Sequence, residues 1–106
     1  MNVAELSGAA LDWAVAKCEY FPVRSGFDDN CPEYSTDWAQ GGPIIEREGI
    51  DLKRITDSLW EAEINANDYH NRKNGPAPLV AAMRCYVASR LGDEIEVPVE
   101  LGAEVN

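Results

Sequence analysis

The stretch from Pro76 to Gly92, PAPLVAAMRCYVASRLG, constrains the fold most. Proline is tolerated at a first helical turn, where the missing N–H has no intrahelical partner anyway. Leu79, Val80, Met83, Val87 and Leu91 then recur at helical spacing, flanked by Ala81, Ala82, Tyr86 and Ala88. Arg90 falls in the last turn, where a cation suits the helix dipole, and Gly92 follows as a stop signal. The spacing predicts a helix over about residues 78–91.

Two further elements follow from pattern. Leu11, Ala14, Val15 and Cys18 repeat at helical spacing behind a capping Ser7, which predicts a helix over about 7–19 ending before Pro22. Trp60, Ala62, Ile64 and Ala66 alternate with Glu61, Glu63 and Asn65, the period of a half-buried strand over 59–66. Gly41-Gly42-Pro43 is a strong turn signal. A short strand or irregular segment is expected after it, with a turn near Glu48-Gly49. Residues 67–75 read as a loop, and Ile95 and Val97 as a last short strand. The fold class is α+β, with two alanine-bearing helices packed on a small, mainly antiparallel sheet. Residues 1–106 form a single domain, with a flexible loop expected near 22–36 and fraying from about residue 100.

Charge narrows the function. The chain has 19 Asp and Glu against 9 Lys and Arg, a formal net charge of -10. Repulsion at that charge argues against nonspecific binding to nucleic acid or anionic membranes. The same acidity suits either plain solubility or contact with a basic protein surface. Glu5 and Asp12 interrupt the N-terminal apolar stretch, which lacks a basic leader, and no apolar run is long enough to span a bilayer. The expected location is the cytoplasm. The cysteines, Cys18, Cys31 and Cys85, show no CxxC or CxxH spacing, and the one histidine is His70, so no metal site or cofactor is expected. Cys18 and Cys85 read as buried small hydrophobes, and Cys31 as exposed. No Walker loop, dinucleotide fingerprint or nucleophile elbow is present. Ser35, Asp37 and His70 can be drawn as a triad, but without the motif no catalytic residue is assigned.

Ligand binding has better candidates. NRKNGPAPL, residues 71–79, puts Arg72 and Lys73 just ahead of a helix N-terminus, where unpaired backbone N–H groups favour an anion. Pro76 and Pro78 remove two of those donors, and the cations can supply charge-assisted bonds instead. Trp38 lies in the polar run Ser35-Thr36-Asp37, close to Gly41-Gly42, where backbone can approach a ligand and an aromatic plane can stack. The candidate ligand set is therefore Ser35, Thr36, Asp37, Trp38, Gly41, Gly42, Arg72, Lys73 and Gly75. Trp60 fits the inward face of its strand and reads as core. The bland alternatives stay open: a solvated basic loop, and a tryptophan covering the core.

Three blocks carry a resemblance: ELSGAALDWAVAKCE (5–19), YSTDWAQGGPIIEREGI (34–50) and GPAPLVAAMRCYVASRLGDEIEVP (75–98). In that order they resemble the NinX family, small proteins of lambdoid and related tailed phages. The blocks cover about half the chain, and residues 71–74 fall outside them. The resemblance implies a phage accessory protein at work in an infected bacterium, and it supplies no active site. In that setting one expectation is a binder, itself a candidate homo-oligomer, of a small nucleotide-like or anionic ligand such as a host defence signal. The alternative is an acidic inhibitor or adaptor that binds a host protein.

Overall fold

The structure, a computed structural model, describes residues 1–19, 31–66 and 69–97, without the side chains of Ala66, Tyr69 and His70. The loop expected near 22–36 falls outside the described residues up to residue 30, and so does the C-terminal end. In chain order the elements are a short 3-10 turn (Val3–Glu5), α1 (Gly8–Cys18), α2 (Trp38–Glu48), β1 (Asp51–Thr56), β2 (Leu59–Ala66), β3 (Tyr69–Gly75) and α3 (Pro78–Leu91). The strands form one antiparallel sheet in the order β1-β2-β3. The class is α+β, with three α-helices among the described residues where the sequence suggested two.

The third helix is α2, which spans the Gly-Gly-Pro stretch read as a turn. Asp37 accepts from the Ala39 N–H and caps its start, and Gly49 closes it at φ 64, a left-handed conformation that glycine adopts without strain. Pro43 stands inside the helix, exposed, and lacks the N–H that would bond one turn back. Burial of Gly41 and Ile44 holds the helix in place.

The polar segment 69–75, read as a loop, is strand β3. It pairs with β2 from Trp60↔Gly75 to Ala66↔Tyr69, so Arg72 stands opposite Glu63. Cross-strand opposite charges supply what its sequence lacks in apolar alternation. The last strand expected at 95–97 is absent among the described residues. Glu94 forms only an isolated bridge with Asn2, and the Ile95 N–H donates to the Met1 carbonyl at 3.0 Å.

Helix α3 is the hub. It packs on β2 and β3 with one face and against α1 and α2 with others. Leu79, Met83, Tyr86 and Val87 on α3 are buried together with Val3, Leu6, Leu11, Val15 and Ile44. Burying each large apolar side chain is worth roughly 1.5–3 kcal/mol. Ala81, Ala82 and Ala88 are also buried on α3, and Ala10, Ala14 and Ala16 on α1, so the two backbones can lie close. Ala62 and Ile64 face inward from β2 as the alternation required. The opposite face of the sheet carries Glu61, Glu63 and Arg72.

Candidate functional site

Strand alternation sends Arg72 and Asn74 to the outer face of β3, and Asn71, Lys73 and Gly75 toward α3. Arg72 and Lys73 therefore leave β3 on opposite faces and do not lie side by side as neighbours in a loop would. Arg72 donates from Nε and Nη2 to Glu63 Oε2 at 3.2 and 2.8 Å, and its Nε lies 3.5 Å from Glu61 Oε1. Lys73 Nζ lies 3.2 Å from Asp93 Oδ1. Gly75 is pressed against the first turn of α3: a Cβ there would fall 2.7 Å from the Ala81 nitrogen.

A third cation completes the site. Arg84, on α3, reaches past the edge of β3, donating from Nε to the Leu6 carbonyl at 2.7 Å and from Nη1 to the Asn74 carbonyl at 2.9 Å. Its Nη2 makes no hydrogen bond, and no carboxylate pairs with it, among the described residues. Partial burial lowers its pKa from the ordinary guanidinium value, yet a guanidinium stays charged in any protein. Arg84, Arg72 and Lys73 line one cleft of about 660 Å³ with Gly75, Pro76 and Asn74. Ala4, Ser58, Leu59 and Glu61 close its other side. An acidic chain thus gathers three cations and one carboxylate in a single hollow. Arg84 escaped the sequence reading because it interrupts an apolar stripe. The signal was there in AAMRCY, a lone arginine among residues that must be buried.

The other candidate residues lie elsewhere, around the start of α2, and none lines this cleft. Ser35 is buried, and its N–H donates to Asp12 Oδ1 at 2.8 Å. Its hydroxyl lies close enough to lower the Asp12 pKa, without a hydrogen bond of ordinary geometry. Burial outweighs that and raises the Asp12 carboxyl overall. Thr36 is exposed in the preceding turn, and the Asp37 carboxylate is engaged as the helix cap. Trp38 is 54% exposed at the first position of α2. Gly41 is a packing residue: a Cβ would collide with the Tyr34 carbonyl and fall 2.7 Å from Leu79 Cδ2. Gly42 has open space, with only the Trp38 ring at 3.9 Å. Ser35 and Asp37 point to separate tasks, and the His70 side chain lies outside the described residues.

Sequence reading also missed a polar cluster joining the three helices. Arg47 donates from Nη1 and Nη2 to the Glu19 carboxylate at 2.9 and 2.7 Å, and from Nε to Glu48 at 2.8 Å. Arg90 donates to Glu48 at 2.9 Å. Tyr86 sits beneath both arginines, whose guanidinium carbons lie 5.7 and 5.4 Å from its ring centre. Hydrogen bonds from Arg47 hold the Glu19 and Glu48 carboxyls below their ordinary range, while burial pushes the Tyr86 phenol up. Each charge here has its counter-charge, which marks an architectural clamp.

Cys18 and Cys85 are buried, and burial pushes their thiols up to about 12 and about 11, away from reactive thiolates. Cys31 is half-buried. No group of three or more metal-ligating side chains occurs among the described residues. No helix is long and apolar enough to cross a membrane among them. No curated protein matches the sequence. The family described as Bacteriophage P22, NinX, matches it over residues 2–90. That match takes in residues 71–74, with Arg72 and Lys73, which the three blocks leave out, while residues 91–98 of the third block fall outside it. The chain belongs to the phage NinX family.

Proposed function

We propose that this phage accessory protein binds a small anionic ligand, nucleotide-like in size and charge, in the cleft between the β2–β3 hairpin, the start of α3 and the N-terminal turn. One observation carries the reading: Arg84 is held in place by two backbone carbonyls while its Nη2 is left without a partner among the described residues. A fixed guanidinium with spare donors suits a phosphate or carboxylate. The cleft volume of about 660 Å³ is of the size that small-molecule sites have. Sequestration of a host signal in the cytoplasm of the infected bacterium would follow from such binding. Calorimetric titration with inorganic phosphate and adenosine 5′-monophosphate tests it. Arg84→Gln should weaken binding about tenfold or more, the order expected for a charge-assisted contact. Arg72→Gln, which breaks only an exposed pair, should give a smaller loss in a protein of unchanged fold. No heat from either ligand at millimolar concentration would refute the reading.

The alternative, an inhibitor or adaptor gripping a host protein, draws on Trp38, which is 54% exposed on a chain of net charge -10. A salt-sensitive complex with a defined host protein, lost in Trp38→Ala, would favour it.

A further inference from the structure

We infer that the cleft takes a sugar phosphate, with the phosphate at Arg84 and the hydroxyl-bearing body toward Glu61 and Ser58, and that a nucleobase adds little. This rests on the cleft being a ligand site. Three features on its walls decide the ligand class. First, a volume of about 660 Å³ exceeds what a bare tetrahedral anion fills, so the cleft has room for a body attached to the charge. Second, Glu61 lines the same cleft as the cations. A carboxylate repels a free anion, yet it accepts hydrogen bonds from hydroxyl groups, which an ionised carboxylate can do several times over. The Ser58 hydroxyl and the Asn74 amide are exposed on the same walls and make no side-chain hydrogen bond among the described residues, so they add neutral partners for a polyol. Third, no tryptophan, tyrosine or phenylalanine among the described residues lines the cleft. Trp60 points to the other face of β2, as its position between Leu59 and Glu61 dictates. Trp38 lies at α2, away from these walls. A base would find no aromatic plane among the described residues there, and stacking is the sequence-tolerant way proteins hold bases.

The experiment compares inorganic phosphate, ribose 5-phosphate, adenosine 5′-monophosphate and adenosine by calorimetry on the full chain. Ribose 5-phosphate should bind about tenfold tighter than phosphate, and the monophosphate within about threefold of ribose 5-phosphate. Adenosine should not bind. Glu61→Gln should shrink the ratio between ribose 5-phosphate and phosphate, because it weakens the acceptor for hydroxyls and removes a charge that repels the bare anion. Two results would overturn the inference while leaving the anion site intact. One is a monophosphate tighter than ribose 5-phosphate by about tenfold or more. The other is equal binding of phosphate and ribose 5-phosphate, with a ratio that Glu61→Gln does not move. Silence from every phosphate compound would instead remove the anion site itself.

Discussion

The Tyr86 hydroxyl donates to Glu19 Oε2 at 2.5 Å while accepting from Arg47 Nη2 at 3.1 Å. One phenol on the hub helix thereby ties α1 to α2. Tyr86→Phe keeps the buried ring and removes both bonds. The expected loss is about 1–2 kcal/mol, since each hydrogen bond to a charged group counts for more than a neutral one. In a domain near this size, each kcal/mol lowers Tm by roughly 4–8 °C. Thermal melts of the two proteins check it, and an unchanged Tm would show that the clamp contributes nothing.

The same cluster sets the acid limit of the fold. Glu19 and Glu48 have folded pKa values below their ordinary ones, so their ionised forms favour the native state. That contribution is full above the unfolded carboxylate range and is lost as pH falls through the lowered folded values. Urea midpoints should therefore drop from neutral toward strongly acidic pH. The double variant Glu19→Gln with Glu48→Gln should start lower at neutral pH and lose less on acidification.

Asp12 should behave in the opposite sense. Its folded pKa is raised, chiefly by burial, so its ionised form opposes folding at neutral pH. The penalty fades as pH falls through the raised folded value toward the unfolded one. Asp12→Asn keeps an oxygen to accept the Ser35 N–H and carries no charge. It should match or exceed the native protein in stability at pH 7, by up to about 1 kcal/mol, and the advantage should vanish in acid. A clear destabilisation at pH 7 would show that the charge itself is needed.

Adjacent glycines in α2 should respond in opposite directions. Gly41→Ala pushes a methyl into the Tyr34 carbonyl and Leu79, of which the carbonyl is backbone and cannot swing aside. It should cost about 1–3 kcal/mol. Gly42→Ala meets open space within a helix, and should gain about 0.5–1 kcal/mol from helix propensity. Denaturant midpoints of both variants check it, and equal responses at the two positions would contradict the packing of Gly41 against Tyr34 and Leu79.

The elements that sequence displayed plainly were those with a one-sided apolar pattern. The stripe from Leu79 to Leu91 gives α3 at Pro78–Leu91, and the alternation around Ala62 and Ile64 gives β2 at Leu59–Ala66. Helix α2 was hidden because Gly41, Gly42 and Pro43 each disfavour helix locally, whereas Asp37 and Gly49, residues 12 apart, supply its two ends. Tertiary contact overrode propensity there: Gly41 is glycine because Tyr34 and Leu79 press on it. Strand β3 was hidden because its partner contacts are charges from another strand, Arg72 on Glu63. Of the nine candidate residues, six lie around α2, and three, Arg72, Lys73 and Gly75, line one cleft. Arg84 joins them from 9 residues beyond Gly75, a proximity that only the packing of α3 on β3 creates.

The most direct test of the anion cleft is an amide chemical-shift titration of the full chain with ribose 5-phosphate. Saturable shifts at Ser58, Asn74, Gly75 and Arg84, with Trp38 to Gly42 unmoved, are the predicted result. Shifts centred on Trp38 to Gly42, or none that saturate, would contradict it.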